Sequence, residues 1–359
     1  METMEIVDCS GIPQDVVAKT ISNLKCLRYL LLTHAGRVFG PKCVESLIQS
    51  NCKLSCLSIG GAYLFKDEDA ARLIGGLPTL QSLAFDTCPL LGSKFVEAIG
   101  KTSNLLELSL GELPLSEDSL EKLAASSDAL RNVKNLTLTS MAGMTDSLLT
   151  EILRATGDSL ESLDVSHNHD LSDACLSGIR RYNSRLRSLS MNSVKELTSA
   201  GLVTFFFHPV EGLPPPPKLK LLDLGSCDYH AVTDEVVDLV TASASANYGA
   251  ASASYVSRSG GLAQLNVQGS ALVTDEMLER LAETSANTLT DLNVSFCPLI
   301  TDKGLGYLVS KVGYQLAKIH VWGCAQLSDE FFDGHRRVND RSLEILGAWI
   351  KKSGTRSLR

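Results

Sequence analysis

No stretch of this 359-residue chain stays apolar for the roughly 20 residues that a helix needs to cross a bilayer. Positive charge is scarce too: 33 Lys and Arg stand against 41 Asp and Glu, a net of -8. Nonspecific nucleic-acid affinity comes from clustered cations, so this balance excludes a general polyanion binder and leaves room only for a local contact. The opening residues, Met1 to Asp8, hold neither a positive region nor an apolar core and do not read as a secretion leader.

Motifs for catalysis and metal binding are equally thin. Cys52 and Cys56 lack CxxC spacing and have no matched pair elsewhere. Gly100-Lys101-Thr102 resembles the end of a phosphate-binding loop, but Phe95 stands where that loop needs glycine. His167, His169, Asp164, Asp170 and Asp173 crowd one loop without a separated second group of metal ligands, and read as solvated side chains. With no nucleophile motif, cofactor loop or acid/base pair evident, no catalysis, cofactor or metal is expected.

What the chain does have is a recurrence. Leu-x-x-Leu-x-Leu, or a close equivalent, begins at Leu27, Leu54, Leu80, Leu105, Val133, Leu160, Leu186, Leu219, Leu262, Leu289 and Leu316. Successive spacings are 25 to 28 residues, apart from intervals of 33 and 43. Met1, Met4 and Ile6 fit a partial copy ahead of them. This period identifies an α/β leucine-rich-repeat solenoid of about eleven full repeats, a horseshoe with parallel strands inside and helices outside. One repeat cannot bury its apolar face alone, so stability must come from the interfaces between neighbours.

The copy at Leu289 contains the local logic. Leu292 and Val294 alternate with Asp291, Asn293 and Ser295, the two-residue period of a strand buried on one face. Cys297 and Pro298 end it, Thr301 and Asp302 offer oxygens to the free amides of a helix start, and Leu305, Leu308, Val309 and Val312 form one apolar stripe. The Ser/Thr-Asp step returns at 145, 172, 233, 274 and 328. Cys88, Cys227, Cys297 and Cys324 all stand eight residues after the first apolar residue of their copies. Equivalent sites on stacked coils suit reduced, buried thiols, which points to the cytosol or nucleus.

Residues 1–330 thus form the array, with a partial first repeat at 1–26 and insertions near 206–217 and 241–261. Pro214 to Pro217 should make the first insertion a stiff loop leaving the stack. The second, rich in Ala and Ser, reads as a longer helix or a flexible excursion. Residues 331–359 carry seven Lys or Arg against three acids and read as a basic C-terminal cap or tail.

The third, fifth and seventh positions of each copy should form the inner face. Five acids stand there (Asp86, Glu107, Asp164, Asp223 and Asp291) with Lys318 as the one fixed cation. Such a polar, mildly acidic surface suits a protein partner rather than a phosphate backbone. Asp164, Asp223, Asn266, Asn293, Lys318, His320 and Trp322 are the expected partner-binding residues. Trp322 reads either as an interface anchor or as packing over the last coil.

With Ser295-Phe-Cys-Pro-Leu-Ile-Thr-Asp302 in view, the chain resembles the cysteine-containing leucine-rich repeats of F-box-type ubiquitin-ligase receptors. The closing half, through 292–297, 320–324 and 337–349, is also similar to the leucine-rich-repeat subunit of the fungal global-genome nucleotide excision repair complex. The resemblance implies a non-enzymatic substrate-recognition subunit of a cullin-type ubiquitin ligase acting in nucleotide excision repair, in nucleus or cytoplasm. Its partners would be a protein on the concave face and a ligase adaptor, a cullin or repair-complex subunits, with DNA contact at most through the basic tail. GTPase-activating and innate-sensing repeat proteins are the alternatives.

Overall fold

The computed structural model describes residues 1–8, 11–207, 210–244, 261–328, 331 and 343–347. Most of the second insertion, and all but six residues of the 331–359 segment, therefore lie outside the described residues. The chain divides into two units, one of residues 1–188 with 212–215, the other of 189–211 with 216–359.

The first unit alternates strand and helix: β1 (Thr3–Val7), α1 (Gln14–Asn23), β2 (Tyr29–Thr33), α2 (Pro41–Gln49), β3 (Cys56–Gly60), α3 (Asp67–Gly76), β4 (Ser82–Asp86) and α4 (Ser93–Ile99). It continues with β5 (Glu107–Gly111), α5 (Glu117–Ala125), the short α6 (Ser127–Leu130), β6 (Asn135–Thr139), α7 (Asp146–Thr156), β7 (Ser162–Asp164) and α8 (Asp173–Tyr182). After β8 (Ser188–Ser190), the second unit holds α9 (Ser199–Phe206), β9 (Leu221–Asp223), α10 (Asp234–Ala244), β10 (Gln264–Asn266), α11 (Asp275–Thr284), β11 (Asp291–Asn293), α12 (Asp302–Lys311), β12 (Lys318–His320) and β13 (Glu344–Leu346).

Strands lie in chain order and pair in parallel from β1 to β7 and from β9 to β13. The fold is the parallel α/β repeat solenoid that the period implies. Its register follows the leucine count: Leu30, Leu57, Leu83, Leu108, Leu136 and Leu163 are consecutive partners, each at most 1 % exposed. Within the segment expected to cap the array, β13 pairs with β12, Lys318 opposite Glu344.

Every strand of the eleven full copies ends on the same backbone turn. The residue seven after the first apolar one has a positive φ in all of them, from His34 (48°) to Gly323 (67°), although only Gly61, Gly269 and Gly323 are glycine there. A left-handed L-residue costs about 1–2 kcal/mol. The offset is a hydrogen bond: the N–H of Thr87, Glu112, Ser140, Ser226 and Phe296 each donates to the seventh residue of the following coil. The next position fills the turn. Cys88, Cys227, Cys297 and Cys324 are buried there as expected, their thiols facing carbonyl oxygens of the preceding coil. Asn168 takes the same place in its coil, donating to Leu138 O (2.7 Å) and Val165 O (2.8 Å) and accepting from Met141 N–H (2.8 Å).

The Ser/Thr-Asp step divides its work differently from the expectation that both residues cap their own helix. The hydroxyl does so: Thr301 accepts from Lys303 N–H and Thr274 from Glu276 N–H. The carboxylate instead reaches the next coil. Asp275 accepts from Thr301 N–H (2.8 Å) and hydroxyl (2.5 Å), Asp234 does the same to Thr274, Asp146 to Ser172 and Asp302 to Ser328. In the first unit Phe39, Phe65, Phe85 and Phe95 add a chain of edge and stacked ring contacts 5.1 to 5.6 Å apart.

The proline insertion does not leave the stack. Pro216 and Pro217 are buried, and within the first unit the Nε of Arg180, a residue with no exposed surface, donates to Pro214 O at 2.5 Å. A buried guanidinium needs acceptors, and a proline run with free carbonyls supplies one.

Asp275→Ala should lower stability by roughly 1–3 kcal/mol, because it strips two partners from Thr301; a urea midpoint unchanged from that of the parent chain would contradict the ladder. Burial pushes the thiols of Cys88 and Cys227 up to about 11 and that of Cys297 up to about 12. At pH 8 iodoacetamide should label exposed Cys26 and spare these three, as mass mapping will read. Their contribution to stability is complete below pH 9.0, the thiol's ordinary value, and is lost as pH rises toward 11 to 12, because the unfolded chain releases its protons first.

Candidate protein-binding face

β9 to β12 set the expected residues side by side. Asp223, Asn266, Asn293 and His320 are consecutive partners in one row, and Leu221, Gln264, Asp291 and Lys318 form another. Trp322 follows His320 by two residues, in the turn after β12. Six of the seven expected residues thus belong to the second unit, whereas Asp164 lies in β7 of the first.

Four of the seven carry a structural duty that the sequence reading did not assign. Asp164 accepts from Ser166 N–H (3.0 Å), Asp223 from Gly225 N–H (2.8 Å), Asn266 from Gln268 N–H (3.0 Å) and Asn293 from Ser295 N–H (3.0 Å). An Asp or Asn oxygen that captures the amide two residues ahead turns the backbone out of the ladder. β7, β9, β10 and β11 stop at three residues, as do β8 and β12, which have Ser190 and His320 at that place. β2 to β6, with Leu31, Ser58, Ala84, Ser109 and Thr137 at that place, run for five. Sideways bonds complete the row: Asn192 Nδ2 donates to Asp223 Oδ1 and Asn293 Nδ2 to Gln268 Oε1, both at 3.2 Å.

The other three residues are freer to meet a partner. Lys318 is exposed, and His320 Nε2 stands 3.7 Å from Asp291 Oδ1, an ion pair when the imidazole is protonated. Trp322 is 44 % exposed. A β-carbon on Gly347 would collide with the backbone N and Cα of Trp322 and with Cγ of its ring, so the following coil packs against the base of the indole.

Phe296 was not among the expected residues. It occupies the left-handed turn position (φ 58°), is 56 % exposed, and donates its N–H to Trp322 O at 2.5 Å. Its ring lies against Gly323, where a β-carbon would collide with it. Ser, Thr, His, Glu or Gly fill this turn in the other coils. The signal in the sequence was that contrast, visible only once the column is aligned. Phe296 thus sets an exposed aromatic side chain on a turn whose backbone conformation all eleven full coils share, one coil before Trp322.

His167, drawn earlier as a conceivable ligand, is the left-handed turn residue of its coil (φ 61°), and among the described residues no group of three metal-ligand side chains comes together. Among them too, no helix is long and apolar enough to cross a membrane.

Asn293→Ala should cost about 1 kcal/mol by stranding Ser295 N–H, whereas Lys318→Ala and Trp322→Ala should stay within about 0.5 kcal/mol. Equal urea midpoints for the Asn293 and Lys318 variants would contradict this division.

Comparison with known proteins agrees with the fold. The family model described as a leucine rich repeat matches residues 159–179 and 285–309. A chain in the crystal structure of the Rad7 and Elc1 complex in yeast is similar with a TM-score of 0.61 and 17 % identity, over 93 % of this chain and 86 % of that one. Protein NLRC5 of Ictalurus punctatus is 26 % identical over 167 residues, 45 % of this chain. The chain spans about a tenth of that relative's length.

Proposed function

We propose that this chain of leucine-rich repeats is a non-enzymatic receptor that holds a client protein on the late coils and presents it to a cullin-type ubiquitin ligase, in nucleotide excision repair. The observation that carries the reading is the exposed pair Phe296 and Trp322 over a row of hydrogen-bonding side chains, an arrangement of anchors within polar groups that suits a protein interface. Two likenesses support the ligase half of it. One is the structural likeness to a chain from the complex of Rad7 with Elc1. The other is the resemblance of 295–302 to ligase receptors and of 292–297 and 320–324 to the repair subunit. On this reading the protein works in the nucleus or cytoplasm, where its free thiols stay reduced.

Affinity purification of the tagged chain followed by mass spectrometry should recover a cullin, its adaptor and repair proteins. Recovery of none of them removes the ligase reading, and accelerated GTP hydrolysis by a copurifying GTPase would replace it with the GTPase-activating alternative. Trp322→Ala combined with Phe296→Ala should weaken client capture by about tenfold or more while leaving adaptor capture intact. Undiminished client capture would move the site away from this face.

A further inference from the structure

The connections of the first unit differ in charge on its two edges. Those that run from helix to strand, between α1 and β2 and onward to that between α8 and β8, carry eight Lys or Arg and three acids. Those that run from strand to helix, from β1 to α8, carry two Lys or Arg and three acids, and the helix starts beyond them add Asp15, Asp67, Glu117, Asp146 and Asp173. In a parallel repeat all connections of one kind lie on one edge. A protein of net -8 thus has one basic margin.

Of its cations, Arg131 pairs with Asp128 (3.4 Å) and Lys134 with Glu161 (3.2 Å). Lys25, Arg28, Lys53, Lys101 and Arg185 are exposed and make no ion pair among the described residues. The margin also contains a cleft of about 400 Å³, lined by Asn104, Asn132, Lys134, Ser159, Glu161 and Arg185 among others. Its floor is held in place by bonds between coils. Asn104 Nδ2 donates to Pro78 O, Asn132 Nδ2 to Ser103 O, and the Ser159 hydroxyl to Val133 O. Adjacent strands lie about 4.8 Å apart, so Lys101 and Lys134, before the successive strands β5 and β6, act together within the Debye length of about 8 Å at physiological salt, whereas Lys53, before β3, extends the margin further along the array.

We propose that this margin binds an extended acidic polypeptide segment, with Arg185 and Lys134 at the cleft and Lys101 and then Lys53 on earlier coils of the same edge. Charge complementarity selects the class of partner, and the total charge selects its size. A long nucleic acid would feel the repulsion of the whole acidic chain, whereas a short run of Glu or Asp meets only the basic margin within its screening distance. The site lies in the other unit from the face of Phe296 and Trp322, so either can fail without the other.

The test is fluorescence anisotropy of a labelled oligoglutamate peptide titrated with the full chain at low and at physiological salt. Lys53→Glu, Lys101→Glu and Arg185→Glu combined should raise the dissociation constant by about tenfold or more, with binding weakening steeply as salt rises. Arg37→Glu with Lys66→Glu, on the opposite edge, should change it less than about twofold. All five positions are exposed, and a urea midpoint equal to the parent's confirms that the variants fold. Equal peptide binding by the triple variant overturns the proposal. So does tighter binding of an oligothymidylate that the same variant abolishes, or an association of the chain with itself that the variant abolishes while the peptide fails to bind.

Discussion

A single backbone hydrogen bond recurs along the array and lets everything else stand: the N–H of a left-handed residue at the end of one strand donates to the seventh residue of the next coil. The turn it stabilises is unfavourable for most of the side chains that occupy it, so it persists only where a neighbour supplies the acceptor. The carboxylate of the Ser/Thr-Asp step obeys the same rule, capping nothing in its own coil while gripping the hydroxyl and amide of the following one. Cooperativity between coils is therefore written in polar contacts as well as in the leucine core. The ion pairs across the helix layer, such as Glu97 with Lys122, are exposed and add little.

Architecture and register were legible in the sequence because burial has a period. Leu30, Leu57 and Leu83 could be aligned by counting, and they are partners. Cys88, Cys227, Cys297 and Cys324 could be aligned the same way, and they fill equivalent turns. Asn168 escaped because a polar residue in that place satisfies three bonds where cysteine satisfies weak ones, so identity changed while geometry did not. β13 escaped because Ser342 stands where the pattern wants an apolar residue, although Ile345 keeps its place opposite Ile319.

The candidate face was half legible. Alternation told which side chains point away from the core, but not which of them are already committed. Asp223, Asn266 and Asn293 look like recognition groups in a list and prove to hold the amide two residues ahead in their own turns. Phe296 looks like one more apolar residue and proves to be exposed on a strained turn beside Trp322. Hydrogen bonds over two residues and the hand of a turn leave no hydrophobic period, so counting cannot find them.

The buried guanidinium of Arg180 has a bearing on descent. Its Nε is satisfied by Pro214 O, a carbonyl that exists only because the interval after Leu186 is longer than its neighbours. Shortening that interval to the common period would remove the carbonyl that this Nε meets, at a cost of about 1–3 kcal/mol. Losing the arginine first would leave the detour without its tether. Insert and arginine are thus coupled through one bond, so that a change in either alters the setting of the other.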